Sequence, residues 1–279
     1  MKKSIYWILA FVITIGAAYY QRKTGPTYPK ASEVTVNNQV FKLKLIRSIG
    51  LDRDSEIRLA ITDTTARAKL YYRRYPTKEE YQAADFKYKE TKMFKGLYAT
   101  VPQQPEAGKL QYYFEITDSK GATTYLKETP IVVRFKGGVP AFVMIPHILM
   151  MFIAMMFSTL AGLMAIGKNP QFRKYTNWTL ILFSAGGLIL GPVVQQYAFG
   201  DLWTGIPFGW DLTDNKTLIA FIFWLLAVIM NRKKERPLYT VLAAIVLLLV
   251  YSIPHSMFGS ELNYESGTVT QGMAMSFFM

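Results

Sequence analysis

The chain contains no cysteine and only two histidines among its 279 residues. Without cysteine, it cannot carry a disulfide framework, a covalently attached c-type haem, thiolate-bound zinc or an iron–sulfur cluster. It also lacks a glycine-rich phosphate loop, an HExxH zinc motif and a Ser/His/Asp order of hydrolytic residues. The sequence therefore favours a protein that is not an enzyme, and any metal must be held by histidine, methionine, carboxylate or backbone oxygen.

Positive charge is in excess, but it is not clustered. The formal net charge is +13, from 32 Lys and Arg against 19 Asp and Glu. Most of this excess lies in residues 21–138, where basic and acidic side chains are interleaved along candidate strands. This distribution is typical of a solvated basic surface close to anionic lipid, and it argues against a nucleic-acid partner.

Hydrophobic residues make up 51% of the chain and are concentrated in long runs. The first run, 5–20, follows two lysines and fits either a cleaved signal peptide or an uncleaved signal anchor. The aromatic pair Tyr19-Tyr20 and the basic residues after it favour the anchor. Pro140 and Pro146 are expected to break the outer end of the second run. Four further spans are predicted at 147–167, 178–195, 218–230 and 238–253.

Between the first two spans, the hydrophobic pattern has a period of two. Phe41, Leu43 and Leu45 alternate with lysines, and several later segments repeat the pattern. A turn signal at residues 118–121 separates two of these segments. About seven short strands with turns between them predict an antiparallel β-sandwich of about 100 residues.

Three segments of this region carry a resemblance to a known fold family. AKLYYRRY (68–75), KGLYATVP (95–102) and KLQYYFEITDSKG (109–121) resemble the immunoglobulin-like and fibronectin type III-like domains of bacterial surface proteins. The resemblance implies a tyrosine corner at Tyr112 or Tyr113. The core tryptophan and paired cysteines of true immunoglobulin domains are absent, so only the fold is implied.

These patterns together predict a bundle of five transmembrane α-helices plus an exported antiparallel, immunoglobulin-like β-sandwich. We expect a signal anchor in 1–23, the sandwich in 24–138, a four-helix transmembrane domain in 139–258 with an outer cap at 195–216, and a C-terminal outer tail in 259–279. The cap and the segment IPHSMFGSELNY resemble uncharacterised bacterial inner-membrane proteins.

The charges outside the sandwich predict the orientation of the spans. When five spans are threaded from a cytoplasmic N-terminus, nine of the ten basic residues outside 21–138 lie in the cytoplasm. The positive-inside rule then places the sandwich and the C-terminus in the periplasm of a bacterial inner membrane. The expected partners are membrane lipid and other membrane or periplasmic proteins.

The two histidines are the candidate metal ligands. Each follows Ile-Pro, and each lies ~26 to ~30 Å of helix from the cytoplasmic end of its span, so the two imidazoles share one depth. Such a pair suits a bis-histidine haem b or a copper ion, with methionine as a soft ligand and Glu261 or Gln195 as a supporting partner. Interfacial capping and proton handling are the alternatives. The predicted ligand set is His147, His255, Met150, Met151 and Met257.

The segment beginning at Asp211 is similar to the start of a calcium loop. However, Lys216 stands where the loop needs glycine, and Ile222 stands where it needs glutamate. A helix N-cap formed by Asp211 or Asp214 explains the segment more simply.

The expected function is a non-catalytic subunit or scaffold of a bacterial envelope complex, with the sandwich as its periplasmic partner-binding module. The alternative is a redox or metal-handling membrane protein with its site at the outer rim.

Overall fold

The computed structural model describes residues 2–254 and 260–270, which belong to two compact units. The helical unit contains the chain up to Pro26 together with Val139–Ser260. The β unit contains Thr27–Gly138 together with Glu261–Thr270. The protein is therefore a mixed helix and sheet protein whose β unit is assembled from two separate stretches of chain.

Each predicted hydrophobic run lies in a helix. The helical unit contains α1 (Lys3–Thr24), α2 (Ala141–Ile166), α3 (Phe172–Phe183), a π-helical segment (Ser184–Leu190), α4 (Gly191–Phe199), α5 (Leu212–Met230) and α6 (Pro237–Ser252). The segments α3, π and α4 run on as one helix, Phe172–Phe199. Among the described residues, α1, α2, this composite helix and α5 are long and apolar enough to cross a membrane, whereas α6 has 16 residues.

The outward faces of these helices are apolar. Ile8, Phe11 and Val12 on α1, and Ile148 and Leu149 on α2, each expose more than half of their surface. Contiguous apolar surface of this kind is rare on proteins in water. It is the surface expected of helices that contact lipid tails.

The start of α2 differs from the sequence prediction. Pro140 is the N-cap and Pro146 lies inside the helix, so the prediction that these prolines break its outer end is wrong. Proline lacks one N–H, so Pro146 removes one helical hydrogen bond, the one to the carbonyl of Phe142, and the helix continues through it.

Small residues bring the helices close together. A Cβ atom added at Gly162 on α2 would lie 2.7 Å from the Cβ atom of Ala244 on α6. Fully buried alanines at 154, 220 and 243 surround the indole of Trp224, which is also fully buried. This packing through small side chains is the usual way in which helices associate without a hydrophobic driving force between them.

The β unit contains strands at the segments with a period of two. They are β1 (Lys30–Val36), β2 (Gln39–Leu45), β3 (Ser48–Gly50), β4 (Glu56–Leu59), β5 (Arg67–Arg74), β6 (Gln82–Asp85), β7 (Lys87–Glu90), β8 (Lys95–Thr100), β9 (Lys109–Asp118), β10 (Gly121–Tyr125), β11 (Ile131–Lys136), β12 (Glu261–Leu262) and β13 (Val269–Thr270).

The strands form four sheets. The largest has the order β3-β11-β9-β5-β6, with β10 also paired to β9, and a second has the order β4-β8-β7. Two hairpins, β1-β2 and β12-β13, form the others. Pairing is antiparallel except between β3 and β11, where the short strand Ser48–Gly50 runs parallel to its neighbour.

One hydrophobic core joins three of these sheets. Leu45 of β2, Ile57 of β4, Leu70 of β5 and Phe114 of β9 are fully buried in the same cluster. Tyr112 is buried with them, and its hydroxyl donates a hydrogen bond of 3.0 Å to the carbonyl of Ile46. Because Ile46 is 66 positions earlier, this bond ties two distant parts of the chain together.

The segment that begins at Glu261 packs within the β unit. The N–H of Leu262 donates to the carbonyl of Ala107 at 3.2 Å. The hydroxyl of Tyr264 accepts from the N–H of Lys109 at 2.9 Å and donates to its carbonyl at 2.8 Å. The side chains of Lys109 and Glu261 form a buried ion pair. Residues 261–270 are thus bonded to the start of β9 on both backbone and side chain.

Candidate functional site

The π-helical segment holds the imidazole of His147 in one orientation. In this segment, the carbonyl of Gly186 accepts from the N–H of Gly191, five residues later. The same carbonyl is 2.9 Å from Nδ1 of His147 on α2. A carbonyl can only accept, so Nδ1 carries the proton and, in the neutral imidazole, Nε2 is left with a lone pair. Short π segments of this kind occur often at functional sites.

His147 lies on the wall of a cavity inside the helical unit. The cavity has a volume of about 120 Å³. Its apolar lining comes from α2, the π segment and α4, and its polar lining comes mainly from α4 and the start of α5. The lining residues are His147, Met151, Gly187, Gly191, Val194, Gln195, Phe199, Asp211, Thr213, Asp214, Thr217 and Ser260.

Asp211 and Asp214 lie on the polar side of the cavity, and both are almost fully buried. Asp211 is the N-cap of α5, where its Oδ1 accepts from the N–H groups of Thr213 (2.7 Å) and Asp214 (3.2 Å). The sequence prediction that this segment caps a helix is confirmed. Capping satisfies N–H groups that otherwise have no helical partner, and it places negative charge at the positive end of the helix dipole.

Asp214 binds the loop that precedes α5. Its Oδ2 accepts from the N–H of Thr204 at 2.7 Å, from the Thr204 hydroxyl at 3.2 Å and from Nε2 of Gln195 at 3.2 Å. A side chain at Gly205 would meet the Cβ atom of Asp214 at 2.6 Å, so the loop approaches the helix as closely as glycine permits. The loop is therefore fixed to α4 and α5 by specific bonds.

Lys216 is also buried, but it serves a structural role. Its ammonium group donates to the carbonyl of Ile253 at 2.7 Å and lies 3.5 Å from the carbonyl of Pro254. Gln21 of α1 donates to the nearby carbonyl of Tyr251 at 2.9 Å. The C-terminal end of α6 leaves carbonyls without helical partners. Side chains of α5 and α1 satisfy them, which joins three helices at this level.

The structure describes three of the five predicted metal ligands. His147 and Met151 both line the cavity, whereas Met150 packs against Gly186 and does not line it. His255 and Met257 lie outside the described residues. Within the part of the chain that the structure describes, no three His, Asp or Glu side chains are grouped closely enough to hold a metal ion. Gln195, which was predicted as a supporting partner, lines the same cavity as His147.

Several residues of this site could not be predicted from the sequence. Nothing in the sequence marks the Gly186 carbonyl as the partner of His147, because a π segment has no composition signal of its own. Thr204 and Thr217 also give no local sign that they share one site. The only signal available is the group of Asp211, Thr213 and Asp214 at a helix start, which predicts the cap but not the cavity behind it.

A second polar cluster lies in the β unit around Lys109. Burial lowers the pKa of Lys109, as does the nearby charge of Arg134, while the ion pair with Glu261 opposes both effects. Burial, and then the carboxylate of Glu261, raises the pKa of the adjacent Tyr75. The guanidinium of Arg74 lies 5.0 Å from the ring centre of Tyr264. Beside this pair is an open groove of about 680 Å³, lined in part by Arg73, Arg74, Gln82, Gln103 and Tyr264.

Comparison with known proteins adds no assignment: no protein-family model matches the chain, and no curated protein matches it.

Proposed function

We propose that this protein is a non-catalytic subunit or scaffold of a bacterial envelope complex, anchored in the inner membrane. In this proposal the N-terminus is cytoplasmic, and an immunoglobulin-like β-sandwich binds a partner in the periplasm. The observation that carries the proposal is the bonding of residues 261–270 to Lys109. Within the described residues, the chain passes between the helical unit and the β unit at Pro26, at Gly138 and again at Ser260, which suits an anchored module.

The same bonding supports the topology. The chain leaves the β unit at Gly138 and returns to it at Glu261. Since a folded unit occupies one side of a membrane, the stretch between these residues crosses an even number of times. The long helices α2, 172–199 and α5 supply three crossings, so α6 supplies the fourth, with 16 residues or ~24 Å of helix.

Charge supports the same orientation. The short connection between α5 and α6 contains Arg232, Lys233, Lys234 and Arg236, and the one between α2 and α3 contains Lys168. Under the positive-inside rule both connections are cytoplasmic. This places the N-terminus of α1 in the cytoplasm as well, and the β unit outside it.

The partner-binding role rests on the groove beside Tyr264. Its lining includes two arginines, three glutamines, two tyrosines and Glu79, which pairs with Arg74 at 3.6 Å. The groove therefore offers hydrogen bonds, aromatic faces and a net positive charge of one. Arginine and tyrosine are the residue types that most often dominate binding energy at protein interfaces. We infer that the groove binds an acidic or amide-rich segment of the partner.

The experiment is purification of the full-length protein in mild detergent from its native host, followed by mass analysis. We expect a complex heavier than the 31.8 kDa chain. Arg74→Glu should release the partner, because it reverses the charge of the groove. Arg67→Glu, at the exposed opposite end of the same strand, is the matched control and should retain it. A wild-type protein that runs alone, without a partner or self-association, would contradict the proposal.

A second candidate function is a redox or metal-handling role with haem b or copper at the outer rim. The observation that favours it is the hydrogen bond from Nδ1 of His147 to the carbonyl of Gly186. Metal-binding histidines usually donate their second ring N–H to a carbonyl in this manner. An optical spectrum and elemental analysis of the purified protein test it. The absence of both a haem absorption band and stoichiometric metal from the wild-type protein would reject it. A signal that is unchanged in His147→Ala would reject it as well.

A further inference from the structure

The cavity beside His147 presents an excess of hydrogen-bond acceptors. Nδ1 of His147 donates to Gly186, so the remaining nitrogen, Nε2, accepts. Nε2 of Gln195 donates to the Thr204 hydroxyl and to the carboxylate of Asp214. Because a carboxylate only accepts, this contact fixes the orientation of the Gln195 amide. Its Oε1 atom is then a further hydrogen-bond acceptor. Thr217 donates its hydroxyl hydrogen to the carbonyl of Thr213, which leaves its oxygen lone pairs.

The two carboxylates add further acceptors. All three bonds to Asp214 reach Oδ2, and both bonds to Asp211 reach Oδ1. The second oxygen of each carboxylate accepts no hydrogen bond from the residues that the structure describes. A ligand of this cavity must therefore donate hydrogen bonds, and an anion is disfavoured.

Compensation of the negative charge decides between a cation and a neutral donor. Five hydrogen bonds already reach the two carboxylates, three of them from backbone N–H groups. The positive end of the α5 dipole points to the same place. The dipole and these hydrogen bonds stabilise both carboxylates without a bound cation, so a neutral donor suffices.

Glycines keep the other side of the cavity apolar and open. A Cβ atom at Gly187 would lie 3.3 Å from Cγ2 of Thr217 and 3.5 Å from the sulfur of Met151. A Cβ atom at Gly191 would lie 3.9 Å from Cε1 of His147. With Met151 and Val194, these glycines leave space beside the imidazole for a flat apolar body. The volume of about 120 Å³ is close to that of the ~150 Å³ cavities that hold benzene.

We propose that this cavity binds the head group of a membrane quinol, an apolar ring with two hydroxyl donors. One hydroxyl donates to Nε2 of His147, and the other donates to the spare oxygen of Asp214 or of Gln195. The proposal rests on the membrane location given under the proposed function, since a quinol reaches the site from lipid. It does not depend on the partner, on the orientation or on His255.

Binding is measured on the full-length protein in detergent, under anaerobic conditions, with 1,4-hydroquinone as the probe. 1,4-Dimethoxybenzene is the matched probe because it keeps the ring and lacks both donors. Loss of one buried hydrogen bond corresponds to about tenfold in affinity. We expect the dimethoxy compound to bind at least about tenfold more weakly than hydroquinone. Equal affinity for the two probes would overturn the proposal.

Three variants locate the site. His147→Phe keeps an aromatic ring but removes the acceptor, and Gly191→Ala fills space beside the imidazole. Both should weaken hydroquinone binding by about tenfold. Gly16→Ala is the control, because Gly16 also lies in an apolar helix and a Cβ atom there meets nothing within 4 Å. Affinity unchanged in both cavity variants would reject the site.

Two further probes separate the competing ligands. Benzylammonium binding more tightly than hydroquinone would identify a cation site and overturn the proposal. Hydroquinone binding that disappears after chelation would assign the site to a metal and overturn it as well. Since hydroquinone binding is measured on the purified chain alone, its failure is distinguishable from failure of the partner proposal, which is tested by copurification.

Discussion

Lys109 and Glu261 form a buried ion pair although they lie 152 positions apart in the chain. The bond joins the start of β9 to the first residue after the helical unit that belongs to the β unit. Both side chains are about nine-tenths buried. Burial costs each charge its hydration, and the cost is offset only while the partner is present.

Loss of one member of this pair should destabilise the β unit. Glu261→Gln leaves the ammonium group of Lys109 buried without its counter-charge, and breaking a buried pair in this way costs about 3 to 5 kcal/mol. Hydrogen exchange of the β9 amides is the measurement, and protection should fall in the variant. Glu33→Gln, which removes an exposed pair with Lys42 at 3.9 Å, is the control and should cost at most about 1 kcal/mol. Equal protection in wild type and Glu261→Gln would show that the pair contributes nothing.

Cysteine labelling can test the membrane topology cleanly, because the chain has no native cysteine. A cysteine at Ser266, which is exposed in the β unit, should react with an impermeant reagent added to spheroplasts. A cysteine at Lys234, in the connection between α5 and α6, should react only after the membrane is made permeable. Labelling of the Lys234 variant in intact spheroplasts would reverse the proposed orientation.

Acid should weaken the end of the β unit where Asp63 lies. Hydrogen bonds from the Thr65 hydroxyl and from Asn37 lower the pKa of Asp63 from 3.8 to about 2. Because the pKa is lower in the folded protein, ionised Asp63 stabilises the fold. This stabilisation is complete above pH 3.8 and is lost as the pH falls through about 2.

The titration of Asp63 can be followed by NMR, in variants that remove one of the hydrogen bonds that lower its pKa. Thr65→Val removes the first-named hydrogen bond but keeps the side-chain shape, so the pKa of Asp63 should rise towards its ordinary value. Thr124→Val, at an exposed threonine whose hydroxyl donates to Glu115 at 3.4 Å, should leave it unchanged. An Asp63 titration that is the same in Thr65→Val and wild type would contradict the assigned cause.

The contact between α2 and α6 should tolerate no side chain at Gly162. Gly162→Ala places a Cβ atom 2.7 Å from that of Ala244, and overpacking of this kind costs about 1 to 3 kcal/mol. The thermal aggregation midpoint in detergent should fall. Adding Ala244→Gly should restore it by reopening the space. A double variant no more stable than Gly162→Ala would mean that the two residues do not meet.

The features that could be predicted from the sequence are those that depend on neighbouring residues. Asp211 followed by Thr213 and Asp214 predicts a helix cap because capping depends only on neighbouring residues. The lysines between Phe41 and Leu45 predict a strand because side chains alternate across a sheet. Hydrophobic runs similarly predict the helices.

Prediction from the sequence fails where the structure depends on contacts that the local sequence does not show. Pro146 looks like a helix breaker, but it removes only its own N–H, so α2 loses one hydrogen bond and continues. Glu261 and Tyr264 look like part of a polar tail because their partner, Lys109, is far away in the sequence. The sequence does not mark Gly186 as a partner of His147, because the acceptor that His147 needs is visible only in three dimensions.

The π segment makes the cavity sensitive to changes in chain length that the membrane span would ignore. A π turn holds one more residue than an α turn, and one residue adds only ~1.5 Å of helix length. Deleting a single residue between Ser184 and Leu190 would therefore leave the helix 172–199 nearly as long as before, and would turn the π segment into an α turn. The bond between the Gly186 carbonyl and an N–H five residues later would be lost, and the carbonyl that His147 uses as its acceptor would be displaced. His147 therefore depends on the extra residue of the π segment.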